Sequence, residues 1–140
     1  MTDLRGEMVT RDVKTRVNQS VFRQMVLANY NTKCAITGID IPKLLLASHI
    51  VPWSKNEKER LNPENGICLS ALYDKAFDKG LIGINLNHEI ILSKDLKTKK
   101  GTSFYSQHFE PIENKKITEA ISYFPKKEFL QYHLDTVFEK

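Results

Sequence analysis

The sequence predicts an α+β domain on three observations: apolar residues at helical spacing near the N-terminus, a strand–loop–strand–helix order in the middle, and a hairpin with a terminal helix after it. In "TRVNQSVFRQMVLANY", Val17, Val21, Phe22, Met25, Val26, Asn29 and Tyr30 recur on one helical face, with Thr15 or Asn18 in position to cap the start. Residues 1–14 are polar with few apolar anchors and are expected to be a flexible segment or the stump of a linker, which leaves 15–140 as the domain. "CAITGIDIPKLLLASHI" reads as a turn at Thr37 and Gly38, a loop to Pro42 and a strand from Lys43 to Ile50. The turn-rich "VPWSKNEKERLNPEN" is a loop, "GICLS" a second strand, and "ALYDKAFDKG" a brief helix. Ser70 is placed to cap that helix, and Gly80 suits the left-handed position at its end. "INLNHEIILS" reads as a hairpin with His88 at its exposed turn, "SFYSQHFEP" as irregular chain, and "KKEFLQYHLDTVFEK" as a helix that packs back on the domain or forms a partner surface.

With 140 residues, 41% hydrophobic and 27% charged, the chain has the make-up of one globular domain with a real core. No apolar run approaches the roughly 18 residues of a membrane span, and no signal-peptide core is present, so a soluble, cytoplasmic protein is expected. Cys34 and Cys68 stand alone without a CxxC partner, which argues for buried free thiols rather than a disulfide framework or a thiolate zinc site. The balance of 21 Lys+Arg against 17 Asp+Glu gives a net charge of +4, which permits a polyanionic partner without demanding one.

Projected at about 100° per residue, the middle helix has three faces. Leu72, Tyr73, Ala76 and Phe77 form an apolar side for the core, Lys75 and Lys79 a second, and Asp74 and Asp78 a third. Two carboxylates at i and i+4 repel by a few tenths of a kcal/mol on an isolated helix, a cost that a bound cation reverses. Pairing with lysine is the competing explanation, and only Lys75 with Asp78, or Lys79 with a residue outside the helix, has workable geometry.

In "LASHIVPW" an apolar strand stops at His49 and then meets Pro52 and Trp53. A histidine at a strand end, Asn65 at the far end of the following loop and acidic residues on the next helix can converge on one spot. The segment "CAITG…LLLASHIVPW…NPENGICLSALYDKAFDKGL" resembles the HNH endonucleases, densely between Cys34 and Leu81, with a core of about 34–84. The resemblance implies a ββα-metal core, with a supporting N-terminal helix and a C-terminal hairpin plus helix around it. It implies His49 as general base, Asn65 as the residue that orients the catalytic loop, and Asp74 and Asp78 as metal-ligand positions. An imidazole with a pKa near about 6.5 can take a proton from water at neutral pH, and a divalent cation can offset charge on phosphate and leaving oxygens. The asparagine amide does not titrate, so its part is geometric.

Three departures from the family pattern bear on this reading. Ser48 stands before the base, where relatives often carry a carboxylate or histidine; it is a candidate third metal ligand, but a poor one. Asp74 stands where many relatives have a histidine, and an all-oxygen set favours Mg²⁺ or Mn²⁺ over Zn²⁺. The paired CxxC knuckles of many relatives are absent. Candidate nucleic-acid contacts are Arg16 and Arg23 on the first helix, Lys55, Lys58 and Arg60 in the loop, and Lys75 and Lys79 on the middle helix. Trp53 is expected to pack over the strand ends; His108 has no assigned role and His133 a structural one. The expected activity is metal-dependent cleavage of DNA in restriction or genome defence. The alternatives are an impaired, DNA-binding relative, suggested by Ser48, and a nuclease acting on RNA. A fused or separate targeting domain and a homodimer are both compatible with so small a chain.

Overall fold

The computed structural model describes residues 4–52 and 59–140, with the side chains of 4–9, 11 and 12 outside the description. Helix α1 (Leu4–Asn29) leads into two antiparallel strands, β1 (Leu45–His49) and β2 (Gly66–Ser70), and then into α2 (Ala71–Asp78). A second antiparallel pair follows, β3 (Ile82–Ile84) with β4 (Ile90–Leu92). Three helices complete the chain: α3 (Lys94–Lys97), α4 (Ser103–His108) and α5 (Lys127–Thr136). Trp53, Lys55 and Lys58 lie outside the described residues.

The core forms where α1, β2 and α2 meet. Every residue of β2 is buried, so this short apolar strand carries core on both faces. Phe22 and Val26 of α1, with Tyr30 in the turn after it, cover one side, and Tyr73, Ala76 and Phe77 of α2 cover another. Cys34 and Cys68 are free and buried, as their isolation in the sequence implies, and burial pushes the Cys68 thiol up to about 12. Gly66 permits the approach of α1 to β2: a Cβ there would sit 2.4 Å from Val26 Cγ2 and 2.8 Å from Phe22 Cζ.

Several elements depart from the sequence expectation. Helix α1 begins at Leu4, upstream of Thr15 and Asn18, so neither of those residues caps it. Val17 and Val21 are exposed with Val13, because the first half of α1 extends past the core and only the stretch from Phe22 onward is packed. Leu72 is 46% exposed at the start of α2, whose core contacts begin with Tyr73. The segment 103–108, expected as irregular chain, is helix α4; Tyr105 is fully packed within it, and tertiary burial outweighs a weak local pattern. The hairpin is present as expected, and His88 holds a left-handed φ of 64° at its turn. His88 is only half-buried, its Nδ1 being 3.2 Å from Glu119 Oε1.

Replacing Gly66 by alanine should force Val26 and Phe22 back and cost about 1–3 kcal/mol. Urea denaturation of the two proteins measures the difference, and equal midpoints would show that α1 does not depend on that close approach.

Candidate active site

Strand pairing explains how β1 aims its last residues. The register sets His49 opposite Gly66 and Ser48 opposite Ile67. Ile50 N–H donates to the Asn65 carbonyl at 2.9 Å, which makes this a hydrogen-bonded position and leaves Ala47 and His49 with their main-chain groups on the other edge. Where the ladder ends, the side chain of Asn65 continues it. Its Oδ1 accepts from Val51 N–H at 2.8 Å, and its Nδ2 donates to the Val51 carbonyl at 3.2 Å and to the Glu59 carbonyl at 3.5 Å. Asn65 is 2% exposed, and its amide ties both ends of the loop to the strand end.

His49 is held from two sides. Its ring stacks on Phe22 with centroids 4.0 Å apart and planes 8° from parallel. Nε2 lies 3.2 Å from the Arg60 carbonyl; a carbonyl only accepts, so Nε2 carries the proton and Nδ1 is the basic nitrogen of the neutral ring. Burial lowers the His49 pKa below the usual imidazole value, and the bond to Arg60 partly offsets it. The shift favours the neutral form of the ring.

Ser48, His49, Asp74 and Asp78 line one cavity of about 290 Å³, together with Ala47, Pro52 and Phe77. The strand-end histidine and the two helix aspartates thus share one cavity, and Asn65 does not line it. Ser48 is buried and donates its hydroxyl proton to Asp74 Oδ1, which fixes that carboxylate. Asp74 is half-buried and Asp78 exposed. Among the described residues no lysine or arginine forms an ion pair with either aspartate, so the lysine explanation for their spacing finds no contact. Nor do three His, Cys, Asp or Glu side chains gather into a metal cluster among the described residues. The donors that line the cavity are two carboxylates and a hydroxyl, and an all-oxygen set is of the kind that hard cations prefer.

The basic candidates separate. Arg23 donates from Nη1 to the Leu45 carbonyl at 2.6 Å and from Nη2 to the Pro42 carbonyl at 2.9 Å, so its guanidinium braces the start of β1. Arg16, Lys75 and Lys79 are exposed, and Arg60 is half-buried. His108 is exposed and its carbonyl accepts from the Tyr73 hydroxyl.

Sequence reasoning did not reach the partners of two supporting residues, Phe22 and His133. Phe22 was legible as an apolar helix residue, but nothing in its spacing pointed to His49 as its partner. His133, on α5, stacks on Phe77 at 3.9 Å and 3°, and its Nε2–H donates to the Phe77 carbonyl at 2.9 Å, next to Asp78. It is 2% exposed, and its Nδ1 is buried without a hydrogen-bond partner.

Residues 34–85 match the family described as HNH endonuclease, over the span that carries every residue lining the acidic cavity and Asn65. The match takes in β1, β2, α2 and β3 and leaves α1 and the chain after Asn85 outside it. No characterised protein matches the chain by sequence. The solved structure of a modification dependent TagI restriction endonuclease is similar in fold, with a TM-score of 0.59 at 14% identity. The likeness covers 83% of this chain and 37% of that one, so the chain spans little more than a third of that protein's length. The HNH segment is thus seated in a larger α+β unit that includes α1 and the elements after β3. Among the described residues no helix is long and apolar enough to cross a membrane.

The two stacked histidines make stability pH-dependent. Burial lowers the folded pKa of both His49 and His133, with hydrogen bonding to Phe77 and the charge of Asp78 partly opposing it at His133. The unfolded chain then binds more protons as pH falls through about 6.5, so stability is full above that value and declines below it until the folded pKa values are passed. His133→Phe should flatten part of this decline in urea titrations at successive pH values; an unchanged slope would exclude His133 as a contributor.

Proposed function

We propose that the protein is a divalent-metal-dependent endonuclease that hydrolyses phosphodiester bonds in DNA. The observation that carries this reading is the single cavity lined by His49, Ser48, Asp74 and Asp78, within the segment of HNH type. His49 is the general base: its neutral ring takes a proton from water at Nδ1 while Nε2–H stays on the Arg60 carbonyl. Phe22 and Asn65 keep that ring and the strand end in place, so no reorganisation is needed at the moment of reaction. Water oxygen attacks phosphorus, the bond to the 3′ oxygen breaks, and the leaving oxygen takes a proton from solvent.

Asp74 and Asp78 would hold the cation, with Ser48 fixing Asp74 or adding a weak third contact. The oxygen donors suit Mg²⁺ or Mn²⁺ better than Zn²⁺. When bound, such an ion supplies positive charge for the phosphate and leaving oxygens. The exposure of Arg16, Lys75 and Lys79 supports a role in phosphate contacts, and Arg23 serves β1 instead. A role in restriction or genome defence, with targeting supplied by another domain or protein, is supported by the fold shared with a modification dependent restriction endonuclease and by the greater length of that protein. Breaking both strands would take a second copy or two successive nicks.

Plasmid nicking in Mg²⁺ or Mn²⁺ should stop on chelation and fall by about 10²–10⁴ in His49→Ala, with circular dichroism unchanged. Full activity in that variant would remove His49 as the base. Faster cleavage of single-stranded RNA than of duplex DNA under the same conditions would reassign the substrate.

A further inference from the structure

His49 borders a second cavity, of about 280 Å³, next to the acidic one. Gln19, Phe22 and Arg23 of α1 and Leu46, Ala47 and His49 of β1 line it. Ala47 and His49 are shared by both cavities, so the outer edge of β1 is a common rim between them. The two differ in chemistry. One carries carboxylates and a hydroxyl; the other carries an aromatic ring, an exposed leucine and a single amide, with Arg23 already committed to main-chain carbonyls.

We infer that the second cavity is a nucleoside subsite, which takes the sugar and base adjoining the phosphate under attack. This rests on the nuclease reading and says where the strand goes next. Successive units of a nucleic acid alternate an anionic phosphate with an apolar, hydrogen-bonding base. The rim alternates in the same way: an oxygen-lined cavity suited to a cation and phosphate, the His49 ring, then an apolar groove. Leu46, 39% exposed although apolar, offers a surface for the sugar or base face, and the exposed Gln19 offers both donor and acceptor to a base edge. Arg16 lies one turn before Gln19 on α1, exposed, where the next phosphate of a strand leaving the groove would pass. Occupancy of the groove would fix the scissile phosphate beside His49 by contacts on both sides of it.

The test uses steady-state cleavage of a short DNA duplex by the full chain in Mn²⁺. Leu46→Trp fills the groove from a surface position and should raise KM about tenfold while kcat moves much less; Gln19→Ala should act the same way, more weakly. Removing the base on one side of the cut, as an abasic nucleotide tested on each side in turn, should raise KM for the parent protein and add little for Leu46→Trp. An unchanged KM in both variants, or a fall in kcat instead, would overturn the subsite while leaving the nuclease intact. A parent protein that cleaves no duplex or single strand in Mn²⁺ would overturn the nuclease reading, and the subsite with it.

Discussion

The clamp of Asn65 on Val51 is the constraint on which the rest of the site depends. A two-stranded sheet has little hydrogen bonding to spare, and a strand end with unpaired amide and carbonyl groups would fray or bury unsatisfied polar groups. The Asn65 main chain closes the last ladder bond with Ile50, and its side chain then satisfies both main-chain groups of Val51. The strand can therefore stop immediately after His49 without losing its place. His49 is held by main-chain geometry at the strand end, and the loop that follows adds one bond, from Nε2–H to the Arg60 carbonyl.

Around that point the supports are layered. Gly66, paired with His49 across the sheet, lets α1 come close enough for Phe22 to lie flat against the imidazole. Arg23, one residue on, grips the other end of β1 through two carbonyls. On the far side α5 reaches the end of α2 through His133 and Phe77, and Gly80 accepts a bond from Glu139 N–H at a spot where a Cβ would strike the Val137 carbonyl. Each element that contributes a cavity residue is thus fastened by an element that contributes none.

Much of this was legible because strong local signals agreed. An apolar run that stops at a histidine, turn residues around Asn65, Ser70 at the N-cap position and a glycine at Gly80 placed β1, β2 and α2 within a residue or two of their observed bounds, although the Ser70 side chain makes no capping bond. The carboxylate pair could be placed on one helix face from spacing alone. What sequence did not carry were contacts between distant segments. The hydroxyl of Ser48 looks like a poor ligand in the chain and acts in the fold as the partner of Asp74. Arg23 has the chemistry to meet phosphate and instead meets two carbonyls, since only tertiary proximity decides between them. The exposed valines of α1 follow from the position of the core boundary, which periodicity does not reveal.

The paired stacks have a spectroscopic consequence. A proton above the face of a benzene ring is shielded by the ring current, and two of the four imidazoles lie face to face with a phenylalanine at about van der Waals separation. Among the described residues His88 and His108 have no such neighbour. The carbon-bound ring protons of His49 and His133 would resonate upfield of the other pair, so one nuclear magnetic resonance spectrum sorts the four histidines and follows the two on either side of the acidic cavity without any label.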